Sequence, residues 1–325
     1  MNFQVKILLS TFVLTVIIAI LVIPILKRLK IGQIEREDGP KSHLKKQGTP
    51  TMGGIIIIIA MIITTIAAYL YYINKIPEIA NKVIPLCLVT AGFGLVGLVD
   101  DFKKLILRNT EGLKPSYKML GLLIISVGYV VYLVEGIHLG TETYIPIIKI
   151  YINLPVWLYI PCAIFVMLAT TNAINLTDGI DGLSTTVCMI IVTCLTVIGI
   201  IFGITEVAIF GSILCGACLG FLIFNLNPAK IFMGDTGSLL LGGAIGAISL
   251  YLKMPLILLI IAFIPVLETI SVMLQVMYFK KTGNRIFKMA PLHHHFELSG
   301  WRESQIVSAF SIITLILCII GLKLI

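Results

Sequence analysis

Acidic side chains stand out in three short segments of an otherwise apolar chain. Asp100 and Asp101 are adjacent in "LVDDFKK", Asp178 and Asp181 are three residues apart in "TTNAINLTDGIDGLS", and Asp235 lies in "NLNPAKIFMGDTGSLLLGG". Carboxylate oxygens are the donors that hard divalent cations prefer in proteins. The three segments therefore predict a site for Mg²⁺ or Mn²⁺ rather than for zinc.

Each acidic segment also has a structural explanation. The paired aspartates sit where a helix is expected to end, and Lys103 and Lys104 would offset their charge there. The "DGIDG" run suits a turn before the next helix, and Asp235 or Thr236 suits the N-cap of the helix that follows. The sequence alone leaves both explanations open.

Groups that suit phosphate are concentrated in "SHLKKQGTPTMGG". This segment combines Lys46 and Thr51 with the glycine pair at Gly53 and Gly54. Cationic side chains, hydroxyls and glycine amides together favour phosphate binding.

Groups that suit a planar polar base occur in two of the acidic segments. Phe232 is an aromatic side chain in a short polar loop, where a planar ring would stack on it. Asn172 and Asn175 repeat the three-residue spacing of the aspartates that follow them. Together with the residues that suit phosphate, these side chains predict a nucleotide-activated substrate.

Three consecutive histidines, His293 to His295, occur in "PLHHHFELSG". Successive residues of a helix point about 100° apart, so the three imidazoles cannot all bind one metal from a regular helix. We expect an interfacial loop in which one or two imidazoles hydrogen-bond a phosphate while a third packs. A purely structural role is the alternative.

Composition indicates which elements carry these residues. Of the 325 residues, 58% are hydrophobic and only 12% are charged, which predicts an integral membrane protein. Because backbone polar groups in lipid must be paired within their own segment, we expect an all-α polytopic protein, with residues 1–325 forming a single transmembrane catalytic domain. Hydropathy predicts about ten spans: 5–26, 53–72, 83–99, 117–135, 155–170, 183–203, 206–226, 236–252, 254–279 and 303–322.

Positive charge predicts the orientation of these spans. The loops after the odd-numbered spans hold 18 of the 24 Lys and Arg residues. By the positive-inside rule these loops are cytoplasmic, both termini lie outside, and the polar segments share the cytoplasmic face. The net charge of +8 is then a topology signal, which argues against nucleic acid as a partner.

Two other patterns have structural interpretations. "GFGLVG", at Gly92, Gly94 and Gly97, matches a dinucleotide-binding fingerprint, but it lies inside a span, where small residues favour close helix packing. "TYIPIIKIYINLP" is rich in β-branched residues and predicts a small external hairpin.

The polar loops, in this order and with these spans between them, resemble those of the phospho-N-acetylmuramoyl-pentapeptide transferase family. The motifs are "KSHLKKQGTPTMGG", "VDDFKK", "TNAINLTDGIDGL", "NPAKIFMGDTGSL" and "PLHHHFEL", and the likeness covers essentially the whole chain. The resemblance implies a multi-pass enzyme of the bacterial plasma (inner) membrane that uses Mg²⁺ and forms a homodimer. It would transfer phospho-MurNAc-pentapeptide from UDP-MurNAc-pentapeptide to undecaprenyl phosphate, giving lipid I and UMP.

The resemblance also implies roles for individual residues. Asp235 would bind Mg²⁺, Asp100 and Asp101 would lie beside the reacting phosphates, and Phe232 would stack on uracil. The expected catalytic set is Asp100, Asp101, Lys104, Asp235 and His294. The expected substrate-binding set is Lys46, Thr51, Lys118, Asn172, Asn175, Asp178, Asp181, Asn225, Phe232, Gln275 and His295. The "RNTEGLKPSYK" segment leaves Lys114 as a rival to Lys118.

Two alternative functions remain at this stage. A related enzyme that moves GlcNAc-1-phosphate to a polyprenyl phosphate would share the paired aspartates and the "DGIDGL" motif. A polytopic transporter would also bury acids, although transporters place them near the midplane. Glu268 is the main acid that would suit that position.

Overall fold

The computed structural model describes residues 2–28, 46, 48–105 and 112–325, and this part of the chain is almost entirely helical. Nine of the described helices are long and apolar enough to cross a membrane, which confirms an all-α polytopic protein. The helices are α1 (Phe3–Arg28), α2 (Gly54–Tyr72), α3 (Pro77–Leu105), α4 (Pro115–Val131), α5 (Val156–Thr177), α6 (Leu183–Ile201), α7 (Thr205–Asn225), α8 (Gly234–Tyr251), α9 (Leu258–Ile261), α10 (Phe263–Thr282), α11 (Leu292–Glu297) and α12 (Glu303–Lys323).

Helix α8 accounts for the difference between ten predicted spans and nine apolar ones. It forms where the sequence predicts the eighth span, but its Gly, Ser, Thr and Asp residues make it less apolar than the others. Every residue from Thr236 to Tyr251 is buried, because α2, α3, α5 and α6 pack around it. A helix surrounded by protein needs small residues for close approach more than it needs a lipid-facing surface.

Several helices differ in extent from the predicted spans. Helix α3 runs on to Leu105 instead of stopping at 99, so Asp100 and Asp101 lie within a helix rather than beyond its end. Helix α5 continues to Thr177, which places Asn172 and Asn175 in its last turns. The predicted span 254–279 is divided into a 3₁₀ turn, the short α9 and the longer α10.

A small hairpin confirms the strands expected between the fourth and fifth spans. Strands β1 (Glu142–Ile145) and β2 (Ile150–Asn153) pair antiparallel, with Tyr144 opposite Tyr151. Lys149 Nζ in the connecting turn donates to the carbonyl of Lys323 at 3.1 Å. Since α12 ends beside the hairpin and begins at Glu303 beside Lys46, the hairpin and the polar segments lie at opposite ends of the bundle.

Close packing of α3 on α8 joins two of the acidic segments. A Cβ atom added to Gly97 would lie 2.1 Å from the carbonyl oxygen of Asp235, so only glycine allows this approach. Gly94 similarly lies close to the Ile58 and Leu240 side chains. The "GFGLVG" pattern therefore serves helix packing, as predicted, and it brings the end of α3 against the start of α8.

Candidate functional site

Two carboxylates and two ammonium groups form the centre of the candidate site. Lys104 Nζ lies 2.7 Å from both Asp100 Oδ2 and Asp235 Oδ2. Lys118 Nζ lies 2.9 Å from Asp235 Oδ2 and 3.4 Å from Asp100 Oδ2. We call Asp100, Lys104, Lys118 and Asp235 the central cluster; it joins the end of α3, the start of α4 and the first turn of α8.

Local helix geometry explains how the lysines reach this cluster. Lys104 follows Asp100 by four residues on α3, which puts both side chains on one face. Lys118 lies in the first turns of α4 and is half-buried, whereas its rival Lys114 is the exposed residue before that helix. The structure therefore places Lys118, and not Lys114, against the two carboxylates.

Asp101 is directed away from the central cluster and towards the start of α8. Its Oδ2 accepts hydrogen bonds from the backbone N–H of Thr236 at 2.9 Å and from the Thr236 hydroxyl at 2.7 Å. Its Oδ1 accepts one from the backbone N–H of Asp235 at 3.2 Å. A side chain of α3 thus caps the N-terminus of α8. The N-cap position itself is occupied by Met233, so neither Asp235 nor Thr236 is the N-cap.

The end of α5 contributes the amide of Asn175 to the site. Asn175 Nδ2 donates to Asp235 Oδ1 at 2.7 Å and to Ser238 Oγ at 2.9 Å. Asn172, one turn earlier, donates to the Leu168 carbonyl of its own helix at 2.7 Å and so does not join the cluster through that amide.

Asp178 follows the last residue of α5 and is partly exposed as a residue, and its carboxylate accepts no hydrogen bond from the described residues. Burial raises the pKa of Asp178 to about 8, and the negative charges of Asp235, Asp101 and Asp181 add to this effect. Although Asp178 and Asp181 are three residues apart, they do not share a helical face, because a turn at residues 178–182 separates α5 from α6. This concentration of negative charge favours binding of a cation.

Asp181 belongs to a second, neighbouring network. Its Oδ1 lies 2.7 Å from Lys46 Nζ, which also lies 2.6 Å from Glu303 Oε2 at the start of α12. Burial lowers the pKa of Lys46, but hydrogen bonds to both carboxylates outweigh it, so the pKa lies above its usual value. The sequence did not single out Glu303, since a lone acid at the start of a helix is common.

The loop before α8 holds Phe232 through backbone hydrogen bonds. The N–H of Phe232 donates to the Pro50 carbonyl at 2.8 Å, and the Phe232 carbonyl accepts the N–H of Gly53 at 2.9 Å. The N–H of Gly54 donates to the Met233 carbonyl at 2.9 Å. These glycine amides therefore fix the Phe232 loop instead of being free for a phosphate, which corrects that part of the sequence interpretation. The Phe232 side chain is half-buried.

Two other predicted binding residues, Asn225 and Thr51, are buried. Asn225 is 3% exposed, its Oδ1 accepts from the Thr185 hydroxyl at 2.7 Å, and its Nδ2 donates to the Ile231 carbonyl at 3.0 Å. Asn225 thus supports the Phe232 loop from within the protein. Thr51 is also buried, and its Oγ1 would lie 3.0 Å from a Cβ atom added to Gly234.

Gln275, on α10, lies apart from these contacts and is bound to the loop before α11. Its Oε1 accepts hydrogen bonds from the backbone N–H groups of Ile286 at 3.1 Å and Phe287 at 3.0 Å. The structure therefore shows Gln275 fixing this loop; its contact with a substrate stays a prediction.

The three histidines have three different environments. His293 is fully buried beneath the turn at residues 178–182, because a Cβ atom on Gly179 would lie 2.0 Å from its Nε2. His294 Nδ1 lies 2.7 Å from Glu297 Oε2, and His295 Nδ1 accepts the backbone N–H of Lys288 at 3.1 Å. The loop expected for this segment is wrong, because all three histidines lie on helix α11; the histidine that packs is the first of the three.

Glu268 supports His293 from α10. Its Oε1 accepts the backbone N–H of His293 at 3.2 Å and lies 3.3 Å from the ring Nδ1. The acid that best suited a transporter is therefore a support for the histidine helix α11. The sequence shows Glu268 as an acid within an apolar span but gives no sign of its partner.

The chain is similar to known proteins over nearly its whole length. The model of glycosyl transferase family 4 matches residues 83–253, and phospho-N-acetylmuramoyl-pentapeptide-transferase signature 1 matches residues 46–58. The phospho-N-acetylmuramoyl-pentapeptide-transferase of Caldicellulosiruptor bescii is 46% identical over 97% of this chain and 95% of its own length. That of Clostridium kluyveri is 50% identical over 93% of this chain and 92% of its own length.

The chain belongs to the phospho-N-acetylmuramoyl-pentapeptide-transferase family.

The two matched regions meet at the site. The phospho-N-acetylmuramoyl-pentapeptide-transferase signature includes Lys46 and the glycine pair that holds the Phe232 loop, and the longer match includes the whole central cluster. Residues beyond both matches, namely Glu268, His293 and Glu303, complete the site from α10, α11 and α12.

The donor chemistry of the site fits Mg²⁺. Among the residues that the structure describes, no three His, Cys, Asp or Glu side chains are arranged to hold a metal by themselves. Mg²⁺ usually takes only one or two carboxylates from a protein and completes its shell with water and substrate phosphates. Asp235, which contacts both lysines of the central cluster, supplies suitable oxygens. Asp178, whose pKa is raised in part by the charge of Asp235, supplies others.

Proposed function

We propose that this chain transfers phospho-MurNAc-pentapeptide from UDP-MurNAc-pentapeptide to undecaprenyl phosphate, yielding lipid I and UMP. The observation that carries the proposal is the central cluster, in which two lysines and two aspartates from three helices meet within hydrogen-bonding distance. Such a cluster offers cations for phosphate oxygens and carboxylates for a divalent metal. The full-length likeness to transferases named for phospho-N-acetylmuramoyl-pentapeptide supports the same reaction.

We propose that Mg²⁺ is required and that Asp235 holds it. The bound ion would neutralise charge on the diphosphate of the donor substrate. Substrate phosphates would replace the carboxylates as partners of Lys104 and Lys118, which now bridge Asp100 and Asp235. The lysines would then bind phosphate oxygens of the donor substrate and stabilise the leaving UMP.

Direct attack by the lipid phosphate is the mechanism that the cluster supports. A phosphate monoester has a second pKa of about 6 and is largely dianionic near neutral pH, so it needs little help from a base. Its oxygen forms a bond to the phosphorus attached to the sugar, while the bond from that phosphorus to the UMP oxygen breaks. Alignment and charge neutralisation then account for most of the rate.

The environment of the paired aspartates argues against a covalent aspartyl intermediate. Both oxygens of Asp101 accept hydrogen bonds from the start of α8. Asp100 Oδ1 accepts the backbone N–H of Leu113 at 2.7 Å, and its Oδ2 contacts the lysines. Carboxylates held in this way suit positioning better than nucleophilic attack.

The decisive experiment follows UMP release by purified protein. With UDP-MurNAc-pentapeptide, undecaprenyl phosphate and Mg²⁺, we expect UMP and lipid I, and we expect neither when the lipid phosphate is omitted. A burst of about one UMP per site from rigorously lipid-free enzyme would contradict direct attack. Turnover of UDP-GlcNAc in place of the pentapeptide substrate would favour the sister reaction, and transport without UMP release would contradict both.

Orientation and assembly are proposed on separate grounds. Because positive charge is concentrated in the loops at the site end, we propose a cytoplasmic site in the plasma membrane. Reporters fused at Gly112 and Gly283 should then lie in the cytoplasm and one at Gly140 outside. The homodimer that the family resemblance implies is also proposed here, and the mass of the protein in a detergent micelle tests it.

A further inference from the structure

Lys46 connects two carboxylates that come from distant parts of the chain. Its Nζ lies 2.7 Å from Asp181 Oδ1 and 2.6 Å from Glu303 Oε2. The side chains are 16%, 1% and 11% exposed for Lys46, Asp181 and Glu303, respectively. Ion pairs with this degree of burial lose much more on removal of one partner than pairs on a protein surface do.

Glu303 brings further donors to the same point. Its Oε2 also accepts the backbone N–H of Asp181 at 3.2 Å and contacts Asn227 Nδ2 at 3.5 Å. Asn227 Nδ2 in turn donates to Asp181 Oδ2 at 3.0 Å. We call Lys46, Asp181, Asn227 and Glu303 the Lys46 clamp.

The Lys46 clamp fixes the relative positions of four elements. Glu303 starts α12, Lys46 precedes α2, Asp181 lies in the turn between α5 and α6, and Asn227 begins the loop that leads to Phe232. Asp181 Oδ2 also accepts the backbone N–H of Ala229 at 3.0 Å in that loop. A change at Glu303 is therefore passed to the turn that carries Asp178 and to the loop that carries Phe232.

A helix-terminus role alone does not account for the geometry of Glu303. An acid in the first turn of α12 would be favoured by the helix dipole without any contact to another element. The N-terminus of α12 is already stabilised by Gln305, whose Oε1 accepts the backbone N–H of Arg302 at 2.9 Å. The Glu303 carboxylate is instead used by groups outside its helix.

We infer that Glu303 is a positioning residue for the nucleotide-bearing substrate, acting by holding Lys46 and the Asp181 turn in place. This inference rests on the proposed function and deepens it, because the elements that the clamp joins are those expected to bind the nucleoside. Glu303 itself need not touch the substrate. Its removal should weaken binding of the UDP substrate and leave the lipid acceptor largely unaffected.

The test compares Glu303→Gln, Glu303→Asp, Lys46→Met and the double variant Glu303→Gln with Lys46→Met. Glu303→Gln should raise the KM for UDP-MurNAc-pentapeptide about 10-fold or more, because it removes the negative charge from a largely buried ion pair with Lys46. Its kcat and its KM for undecaprenyl phosphate should change less. Glu303→Asp, which keeps the charge, should recover part of the loss. Because Glu303 and Lys46 belong to one hydrogen-bonded network, the loss in the double variant should be smaller than the product of the two single effects.

Glu78→Gln is the matched control. Glu78 Oε1 also lies 2.6 Å from a lysine, Lys82, but the pair is at the start of α3, at the opposite end of the bundle. This variant should keep wild-type kinetics, and all variants should be compared by thermal unfolding in detergent.

Three results would overturn the positioning role. They are an unchanged KM in Glu303→Gln, an equal loss for both substrates, and effects of Glu303→Gln and Lys46→Met that multiply in the double variant. Each of these requires a wild-type enzyme that releases UMP. A wild type that releases none contradicts the proposed function itself, so the two failures are distinguishable.

Discussion

Asp101 Oδ2 accepts hydrogen bonds from both the backbone N–H and the hydroxyl of Thr236, at 2.9 and 2.7 Å. The two residues belong to α3 and α8, so one carboxylate caps a neighbouring helix whose first turn contains Asp235. Adjacent aspartates therefore have different environments, since Asp100 contacts the lysines of the central cluster. We therefore expect Asp100 to contribute to catalysis and Asp101 to stabilise the packing of α3 on α8.

Replacement of Asp101 should mainly affect stability. Asp101→Ala leaves the buried N–H and hydroxyl of Thr236 without an acceptor, and we expect a loss of about 1.5–3 kcal/mol in the free energy of unfolding. Thermal unfolding in detergent measures this loss, and UMP release by the protein that stays folded measures the activity that remains. A fall in kcat as large as that of Asp100→Ala would contradict the division of roles.

Replacement of Asp235 should mainly affect turnover. Asp235→Asn keeps the shape of the side chain but removes the charge that would hold Mg²⁺, so we expect kcat to fall by orders of magnitude. UMP release measured over a range of Mg²⁺ concentrations is the readout, and elution as a folded protein is the control. Near-normal activity at ordinary Mg²⁺ would leave Asp235 only as the partner of Lys104 and Lys118.

Phe232→Ala tests stacking on the base. A base on an aromatic ring is worth about 1–3 kcal/mol, so the KM for the nucleotide substrate should rise roughly 5–150-fold. The KM for undecaprenyl phosphate should change little. Phe165→Ala is the matched control, because Phe165 is 70% exposed on α5 and lies outside the site. A parallel loss for both substrates would count against stacking.

Asp178 should make the metal-free protein sensitive to pH. Its pKa of about 8 lies above the unfolded value of 3.8, so the folded state binds the proton more tightly. Its contribution therefore destabilises the fold progressively as pH rises from about 4 to about 8. Asp178→Asn removes this effect, and its gain in melting temperature over wild type, with chelator present, should be larger at pH 8 than at pH 5. An equal gain at both pH values would refute the shift.

The same protonation opposes binding of a cation. Because Mg²⁺ requires the ionised carboxylate, its apparent affinity should increase as pH rises towards 8 in the wild type. Asp178→Asn should flatten this dependence. Titration of Mg²⁺ against thermal unfolding measures both proteins without relying on turnover.

Gly179 and His293 provide a test of packing beneath the aspartate turn. A Cβ atom on Gly179 would lie 2.0 Å from His293 Nε2, so Gly179→Ala should lower both stability and kcat. In the double variant Gly179→Ala with His293→Ala, the added methyl group no longer meets the imidazole, so the loss of stability should be smaller than the sum of the two single losses. Gly128→Ala is the control, because nothing lies within 4 Å of its added Cβ. Additive losses in the double variant would contradict the contact.

Local sequence patterns determined the class of protein and most of its elements. An apolar run long enough to cross the bilayer must form a helix whatever its neighbours are, since its backbone has no other hydrogen-bond partners in lipid. The hairpin at 142–153 was also predictable, because β-branched residues and a short turn are local signals. The end of α3 was harder to predict, because the polar residues after 99 continue the helix only when another helix packs on them.

The partners of the polar residues were decided by the tertiary structure. The sequence placed Asp100 beside Asp101 and could not say which one faces the lysines, because successive residues of a helix point about 100° apart and the direction depends on where α8 packs. It equally could not choose Lys118 over Lys114 or join Lys46 to Glu303. Such contacts link residues far apart in the chain, and only the packing of whole helices brings them together.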